Sequence, residues 1–285
     1  MKKLVVRWTI GDVNDAGFEA LRLSVKGVQR LFGRSADYVV CVNTIGAWRA
    51  QKRCGEVLHG VEWVEVDRSM IPRFIRERFD SRLAEGAGWK LAPVRLHNEH
   101  CSISLDNDVI LWARPRAVHA LLTGAAECVL AEDVVAAYGI FGAVCPGIAY
   151  NGGIRGLAAA VDYEGLLREV LKETTADLTS ELDEQGLQVA ALCRAGPAIV
   201  SLQEVPICSP FYPHHDEPGT CGAHFVGINS RNLPWEYYGR PATEVRREHW
   251  ERWRPEIALR VGRPRNEPLE APQTPASDSG VETSD

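Results

Sequence analysis

The chain lacks any hydrophobic run long enough to span a membrane, and it lacks the layout of a signal peptide. The apolar run near its start, in MKKLVVRWTIGD, is short and is interrupted by Arg7, Gly11 and Asp12. A spanning helix needs about 20 apolar residues, and a signal peptide needs a continuous apolar segment before its cleavage site. These absences predict a protein with neither a membrane span nor a secretion signal.

The chain also lacks an excess of positive charge and any C-x-x-C pair of cysteines. Its formal net charge of -6 at pH 7 argues against a general nucleic-acid-binding protein, which would present a basic surface. A small anionic ligand is compatible with this charge, because a few local arginines and lysines suffice to hold one. The eight cysteines are scattered, and we expect reduced, mostly buried thiols in a cytoplasmic protein.

The order of strand-like and helix-like segments predicts an α/β fold. The 285 residues suffice for one large domain or two small ones. Strand-like runs at 4–10, 37–43, 61–67 and 101–112 are separated by segments with helical patterns. This alternation is typical of a mostly parallel central sheet with helices on its faces. Ligands of such sheets bind at the carboxyl ends of the strands.

The first helix has a clear amphipathic pattern. Asn14 is placed to cap its start, and Gly33 is placed where a C-terminal glycine belongs. Apolar residues recur at steps of three and four, so that they line one face of the helix. These residues are Phe18, Leu21, Val25, Val28 and Phe32.

Two aspartates, Asp106 and Asp108, close the fourth strand-like run in CSISLDNDVILW. Carboxylates two residues apart on an extended strand point to the same side, and their repulsion is relieved when a cation lies between them. Mg²⁺ and Mn²⁺ prefer such carboxylate oxygens. The alternative is a solvated turn, because Asp and Asn are good turn formers. Asp12 follows the first strand and is expected at the same edge of the sheet.

Four further segments accompany this D-x-D pair. They are GWKLAPVRLH (88–97), AYNGGIRGL (149–157), ELDEQGLQVAAL (181–192) and CGAHFVGINSRNLPWEYYG (221–239). In this order the set resembles the nucleotide-sugar-dependent glycosyltransferases of the GT-A fold. The resemblance is greatest to the retaining group that includes glycogenin and bacterial lipopolysaccharide galactosyl- and glucosyltransferases, and it extends to about Trp235.

The resemblance implies one GT-A-like domain, with a Rossmann-type, mostly parallel sheet, over residues 1–261. Residues 1–112 would form the nucleotide-binding half, and residues 113–261 the acceptor half. The activity implied is transfer of a hexose from a nucleotide diphosphate sugar, with UDP favoured as the nucleotide, to an acceptor hydroxyl. Residues 262–285 contain almost no large apolar side chains, which predicts a disordered tail.

The resemblance also implies roles for individual residues. Asp106, Asp108 and His224 would bind Mn²⁺ or Mg²⁺. Asn151, Asp183 and Gln185 would form the catalytic group near the donor sugar. Residues that would contact the rest of the nucleotide sugar are Thr9, Gly11, Asp12, Lys90, Arg95, Asn107, Gly227 and Trp235. A retaining reaction requires no strong general base, whereas an inverting one would use Asp183 or Glu184.

The sequence departs from the family pattern at two points. The late loop of the family reads K-P-W, with a lysine on the diphosphate, whereas this chain has Asn232 and Leu233 before its Pro-Trp pair. Arg231 is a possible substitute for that lysine. Gly152 stands where the family usually has a small hydroxyl residue.

Each site residue also has a plainer structural interpretation. Asp183 would complete a capping box with Ser180, the segment from Asn151 to Gly153 would form a turn, and Trp235 would pack in the core. Lys90 and Arg95 would be surface charges, and His224 would be a core histidine.

Two other functions stay open. The segment PHHDEPGTCGAH (213–224) contains nitrogen, oxygen and sulfur ligands, which suggests a zinc or iron site and a metalloenzyme; these residues are His214, His215, Asp216, Cys221 and His224. The altered late loop is compatible with a protein that binds nucleotide sugars without catalysing transfer.

Overall fold

The computed structural model describes residues 4–55, 58–79 and 88–262. The tail predicted for 262–285 lies outside the described residues except for Gly262, which ends the last helix. Within the described residues, no helix combines the length and the apolar character needed to cross a bilayer.

A seven-stranded sheet forms the centre of the fold, with the strand order β3-β2-β1-β4-β7-β6-β8. Strand β7 runs antiparallel to both of its neighbours, and the other four pairs are parallel. The predicted mostly parallel sheet is therefore confirmed. Its strands are β1 (Leu4–Ile10), β2 (Ala36–Val42), β3 (Val61–Glu65), β4 (Cys101–Asp106), β6 (Cys128–Glu132), β7 (Tyr150–Leu157) and β8 (Ala198–Val200).

Two small antiparallel sheets lie outside the central one. The first pairs β5 (Val109–Leu111) with β9 (Gly222–His224), and the second pairs β10 (Glu236–Tyr237) with β11 (Arg240–Pro241). The helices are α1 (Asp15–Phe32), α2 (Ala47–Arg53), α3 (Arg73–Arg76), α4 (Arg116–Thr123), α5 (Tyr163–Leu171), α6 (Glu181–Cys193) and α7 (Ala242–Gly262).

Helix α1 begins and ends as its sequence predicts. Asn14 accepts a hydrogen bond from the Gly17 N–H and caps the helix, and Gly33 adopts a positive φ of 55° at its end. All five residues of the predicted apolar face are buried. Burial of such side chains contributes about 1.5–3 kcal/mol each, which holds the helix on the sheet.

The run 101–112 is not a single strand. Strand β4 ends at Asp106 in the central sheet, Asn107 and Asp108 form a turn, and β5 pairs with β9 in a different sheet. The Asn107 amide donates to the Gly17 carbonyl and to Asn229, which fixes the turn against α1. The turn agrees with the plainer interpretation of the D-x-D pair. The pairing of β5 in a second sheet was not predicted, because an apolar sequence shows which residues are buried but not which strand they pair with.

The two faces of the central sheet differ in polarity. On one face, alternate residues such as Val6, Trp8 and Ile10 pack with α1 in an apolar cluster. The opposite face packs against α5, α6 and the segment at 88–91, and it carries apolar side chains with buried charges among them. Two of these charges are Arg7 and Arg155, which are 4% and 7% exposed. The candidate site lies where this second face reaches the ends of the strands.

Candidate metal and nucleotide-sugar site

The edge at which β1 and β4 end carries the candidate site. The two strands are parallel neighbours, with Thr9 opposite Asp106 in the ladder. Their carboxyl ends therefore open at one edge of the sheet, which is where α/β sheets bind ligands. The structure places the predicted nucleotide-binding residue Thr9 directly beside the predicted metal ligand Asp106.

The structure brings together the three residues predicted as metal ligands. Ligand atoms of Asp106, Asp108 and His224 all lie within 4.8 Å of one another. The small sheet causes this approach, because His224 in β9 pairs with Val109 in β5, the residue after Asp108. The N–H of Phe225 also donates to the Asp108 carbonyl at 2.9 Å. The short β5–β9 ladder thereby brings together Asp108 and His224, which are 116 positions apart in the sequence.

The local chemistry fits a divalent cation. Asp108 is 4% exposed, and its Oδ1 atom is buried without a hydrogen-bond partner among the described residues. His224 Nε2 lies 3.3 Å from that oxygen. Two carboxylates and an imidazole suit Mn²⁺ or Mg²⁺ with further oxygen ligands. An unpartnered buried carboxylate oxygen is costly unless a cation or a donor satisfies it.

The charges of the three residues affect one another. Burial lowers the pKa of His224, but the adjacent carboxylate of Asp108 and the charge of Asp106 outweigh burial and raise the pKa of the imidazole. Burial raises the pKa of Asp106, but Lys90, Arg155 and His224 outweigh it and hold that pKa below its ordinary value. The Asp106 carboxylate therefore favours the ionised form that binds a metal.

Lys90 contacts the site and is not an ordinary surface charge. Its Nζ atom lies 2.8 Å from Asp106 Oδ2, at the junction of the segment Gly88–Leu91 with the end of β4. Burial lowers the pKa of Lys90, but Asp106 and the charge of Glu184 together outweigh burial and raise that pKa. Lys90 therefore places a positive charge beside the three metal-ligand candidates.

Asn151 lies in strand β7 and not in a turn, which corrects the plainer interpretation of that segment. Its Oδ1 accepts from the Gly153 N–H at 2.7 Å, and its Nδ2 donates to the Glu132 carbonyl at 3.3 Å. A Cβ atom on Gly153 would lie 2.5 Å from His224 Cε1. Asn151 therefore supports the backbone that makes room for the His224 ring, and only glycine fits at position 153.

Asp183 and Gln185, which are predicted to lie near the sugar, contact the backbone in this structure. The Asp183 carboxylate accepts from the N–H groups of Ile140, Thr179 and Ser180, each at 2.8 Å, and it completes the capping box of α6. Gln185 donates to the Ala137 carbonyl at 2.9 Å. Free N–H groups at a helix start attract oxygen acceptors, which explains the contacts of Asp183 with Thr179 and Ser180. Gln185 instead donates to a carbonyl oxygen outside α6.

Glu184 lies between these two residues in α6, and its carboxylate interacts electrostatically with Lys90 and Asp106 of the site. It is 2% exposed and accepts a hydrogen bond from Gln188. Burial raises its pKa to about 7, against the opposing charges of Lys90 and Arg155, while the Asp106 charge adds to the increase. Sequence reasoning named Glu184 only as a base for an inverting reaction.

Arg155 was missed by sequence reasoning. It lies in β7, it is 7% exposed, and its charge acts on Asp106, Glu184 and Lys90. The available signal was an arginine inside AYNGGIRGL, a run that otherwise contains no charged side chain. Such an arginine in a buried strand indicates an internal charge.

The predicted nucleotide-binding residues Gly11 and Asp12 follow β1 directly. A Cβ atom on Gly11 would lie 2.6 Å from Asn43 Oδ1, so that β1 and β2 approach closely here. Asp12 forms ion pairs with Arg53 at 2.7 Å and with Arg231 at 2.9 Å. Arg231 thus connects the late loop to the end of β1.

Two other predicted contacts of the nucleotide sugar point into the protein. Arg95 donates to the carbonyls of Ala158, Val161 and His100 at 2.7–3.1 Å, which corrects its interpretation as a surface charge. Its contact with the nucleotide sugar stays a prediction. The Asn107 amide is held by α1 and Asn229, and its contact with the nucleotide sugar also stays a prediction.

The last two predicted contacts lie in the late loop. Gly227 adopts a positive φ of 79°, and its carbonyl accepts from Arg246. Trp235 is 43% exposed and packs edge-to-face on Phe211 at 4.5 Å between ring centroids, so it is not a core residue.

The alternative zinc or iron site in 213–224 is not formed. His214 contacts the Phe211 carbonyl, and Asp216 pairs with Arg252 and His249. Of that segment, only His224 belongs to a potential metal-binding group within the described residues. The other such group is formed by the side chains of His97, Glu99 and His100.

Comparison with known proteins supports the fold. No protein-family model matches the chain, and no curated protein matches it. The chain is similar to the apo form of mouse xyloside xylosyltransferase 1, with 11% identity and a TM-score of 0.51 over 80% of this chain and 99% of that one. It is similar to the apo bifunctional glycosyltransferase WbbM, with 14% identity and a TM-score of 0.51 over 91% of this chain and 52% of that one.

A third similar structure is galactosyltransferase LgtC with donor and acceptor sugar analogs, at 14% identity and a TM-score of 0.48 over 88% of this chain and 99% of that one. The first two similarities show that the chain has the fold of these glycosyltransferases. The predicted GT-A-like α/β fold is thereby confirmed.

Proposed function

We propose that the chain is a metal-dependent glycosyltransferase that moves a hexose from a nucleotide diphosphate sugar, with UDP favoured, to an acceptor hydroxyl. The observation that carries the proposal is the convergence of Asp106, Asp108 and His224 at the end of β4 in this fold. The same edge holds Thr9 and Asp12, which supports a nucleotide beside the metal ligands.

The chain's own residues supply binding and charge. Asp106, Asp108 and His224 would hold Mn²⁺ or Mg²⁺, which when bound stabilises negative charge on the departing nucleoside diphosphate. Lys90 adds a positive charge at the same edge, because it contacts Asp106 from the side of the segment 88–91. Glu184 replaces Asp183 as the proposed acid or base, since its pKa of about 7 lets it hold or accept a proton near neutral pH.

The test is hydrolysis or transfer of a nucleotide sugar with added Mn²⁺. The wild-type chain should turn over at least one of UDP-, GDP- and dTDP-hexose slowly, and only with the metal. Asp106→Asn keeps the side-chain shape but removes a ligand charge, so that turnover should fall at least a hundredfold while thermal unfolding stays cooperative. Glu164→Gln, which changes an exposed carboxylate on α5, is the control. Unchanged metal-dependent turnover in Asp106→Asn would refute the assignment.

A non-catalytic nucleotide-sugar-binding protein is the second candidate. It is favoured by one observation: Arg231, the possible substitute for the lysine of the late loop, is engaged by Asp12. The two candidates separate in one titration. A binding protein should bind a nucleotide sugar with Mn²⁺ and leave it intact over hours, whereas a transferase should release the nucleoside diphosphate.

A further inference from the structure

Arg155 is a buried cation whose guanidinium is not fully satisfied. The residue is 7% exposed, and Nη1 is buried with no hydrogen-bond partner among the described residues. Its neighbour on the same face, Arg7, differs, because it donates to the carbonyls of Ala92 and Pro93. A buried charged donor without a partner is strongly unfavourable, so its retention points to a ligand.

The guanidinium of Arg155 reaches toward the edge that holds the metal ligands. In the antiparallel β4–β7 ladder, Ser104 lies opposite Arg155 and Leu105 opposite Ile154. Residues before Ile154 on β7 therefore lie toward the end of β4 at Asp106. A Cβ atom on Gly152 would be 3.1 Å from Arg155 Nη1. The Arg155 side chain therefore extends along β7 to the level of Gly152, toward the end of β4.

The nearby carboxylates are already engaged. Asp106 is in ion-pair contact with Lys90, and Glu184 accepts from Gln188. Neither bonds to Nη1 of Arg155, although both feel its charge. Arg155 thus presents an unpaired Nη1 donor and a positive charge toward this edge, and neither Asp106 nor Glu184 forms a hydrogen bond with that donor.

We propose that Arg155 binds an oxyanion of the donor, either a diphosphate oxygen or the carboxylate of a sugar acid. The planar guanidinium suits both groups, because it donates parallel hydrogen bonds to two oxygens. The inference rests on the proposed function, in that it requires a nucleotide-sugar donor at this edge. It assigns Arg155 a binding role in addition to the three metal-ligand candidates and Lys90.

The test compares dissociation constants in Mn²⁺ for UDP, UDP-glucose and UDP-glucuronate, together with the guanosine and thymidine counterparts of each. Within each series, the glucose and glucuronate members differ only in the carboxylate of the sugar. Arg155→Gln should weaken binding about tenfold or more, the effect of losing a charge-assisted contact. Arg168→Gln, which removes an exposed arginine of α5, should leave every constant unchanged.

The outcomes identify the anion. Equal weakening of all three members of a series would place Arg155 on the diphosphate. Weakening confined to the glucuronate member, with wild-type preference for it over the glucose member, would place Arg155 on a sugar carboxylate. Unchanged constants in Arg155→Gln, while the wild type binds, would overturn this inference and leave the proposed function standing. No binding by the wild type would refute the proposed function itself, and this inference with it.

Folding of the variant provides a further check. Arg155→Gln without nucleotide should still unfold cooperatively, which a thermal unfolding curve measures. Should the glutamine variant fail to fold, Arg155→Lys keeps the charge but loses the two-point contact. It should bind the affected ligand several-fold more weakly, and wild-type affinity in Arg155→Lys would then overturn the inference.

Discussion

Glu184 illustrates how burial sets the chemistry of a single residue. Burial disfavours the charged carboxylate and raises its pKa from about 4.5 to about 7. Lys90 and Arg155 oppose this shift, whereas Asp106 and Glu181 add to it. Because the folded protein binds this proton more tightly than the unfolded chain does, the side chain destabilises the fold as pH rises from about 4.5 to about 7.

The Glu184→Gln variant tests this linkage. It should be more stable than the wild type above pH 7, by roughly 3 kcal/mol at most, and equally stable near pH 4. Urea unfolding in EDTA at pH 4, 5.5 and 8 measures the difference. An equal gain at all three pH values would show that Glu184 does not titrate in this window. Turnover of the variant should also lose the pH dependence that an acid or base of this pKa produces.

At the scale of elements, α6 and the β5–β9 sheet position the site. The capping contacts of Asp183 fix the start of α6, and Glu184 follows directly with its side chain buried. The β5–β9 ladder places His224 beside the D-x-D turn. A displacement of either element would separate the charged groups without changing any of them.

Asp183→Ala tests whether that residue serves the helix or the sugar. The alanine variant loses three hydrogen bonds that backbone N–H groups donate to the carboxylate, which should lower the free energy of unfolding by about 1–3 kcal/mol. Asp183→Asn retains acceptor oxygen and should lower it less. Both variants should keep the wild-type KM for the nucleotide sugar under conditions where they are folded. A normal stability together with a large loss of kcat would instead restore the predicted contact with the sugar.

At the scale of the whole molecule, metal and nucleotide should stabilise the fold together. A ligand that binds only the folded state adds about 2.7 kcal/mol at one hundred times its dissociation constant. The paired carboxylates of Asp106 and Asp108 repel an anionic diphosphate unless a cation lies between them. The nucleotide should therefore raise the melting temperature only when Mn²⁺ is present.

A thermal-shift series with UDP, GDP and dTDP, each with Mn²⁺ or with EDTA, measures this coupling. One nucleotide should give a clear upward shift with the metal and little shift without it. Asp108→Asn should lose that shift. A nucleotide shift of equal size in EDTA would contradict a metal at this edge.

Local patterns in the sequence predicted much of the fold. The face and caps of α1 were predicted correctly, because helical spacing and capping are properties of neighbouring residues. The alternation of strands and helices predicted the mostly parallel sheet for the same reason. The second sheet was missed, because pairing of β5 with β9 depends on residues more than one hundred positions apart.

The sequence by itself determined the helix and strand periods, the D-x-D pair and the absence of long apolar runs, since these follow from residue type and short spacing. Only the tertiary structure decided which polar groups meet. It brought His224 to the aspartates, turned Arg95 and Asp183 to backbone groups, and buried Arg155 and Glu184. The physical reason is that burial and hydrogen-bond partners are set by the packing of distant segments, which no local pattern specifies.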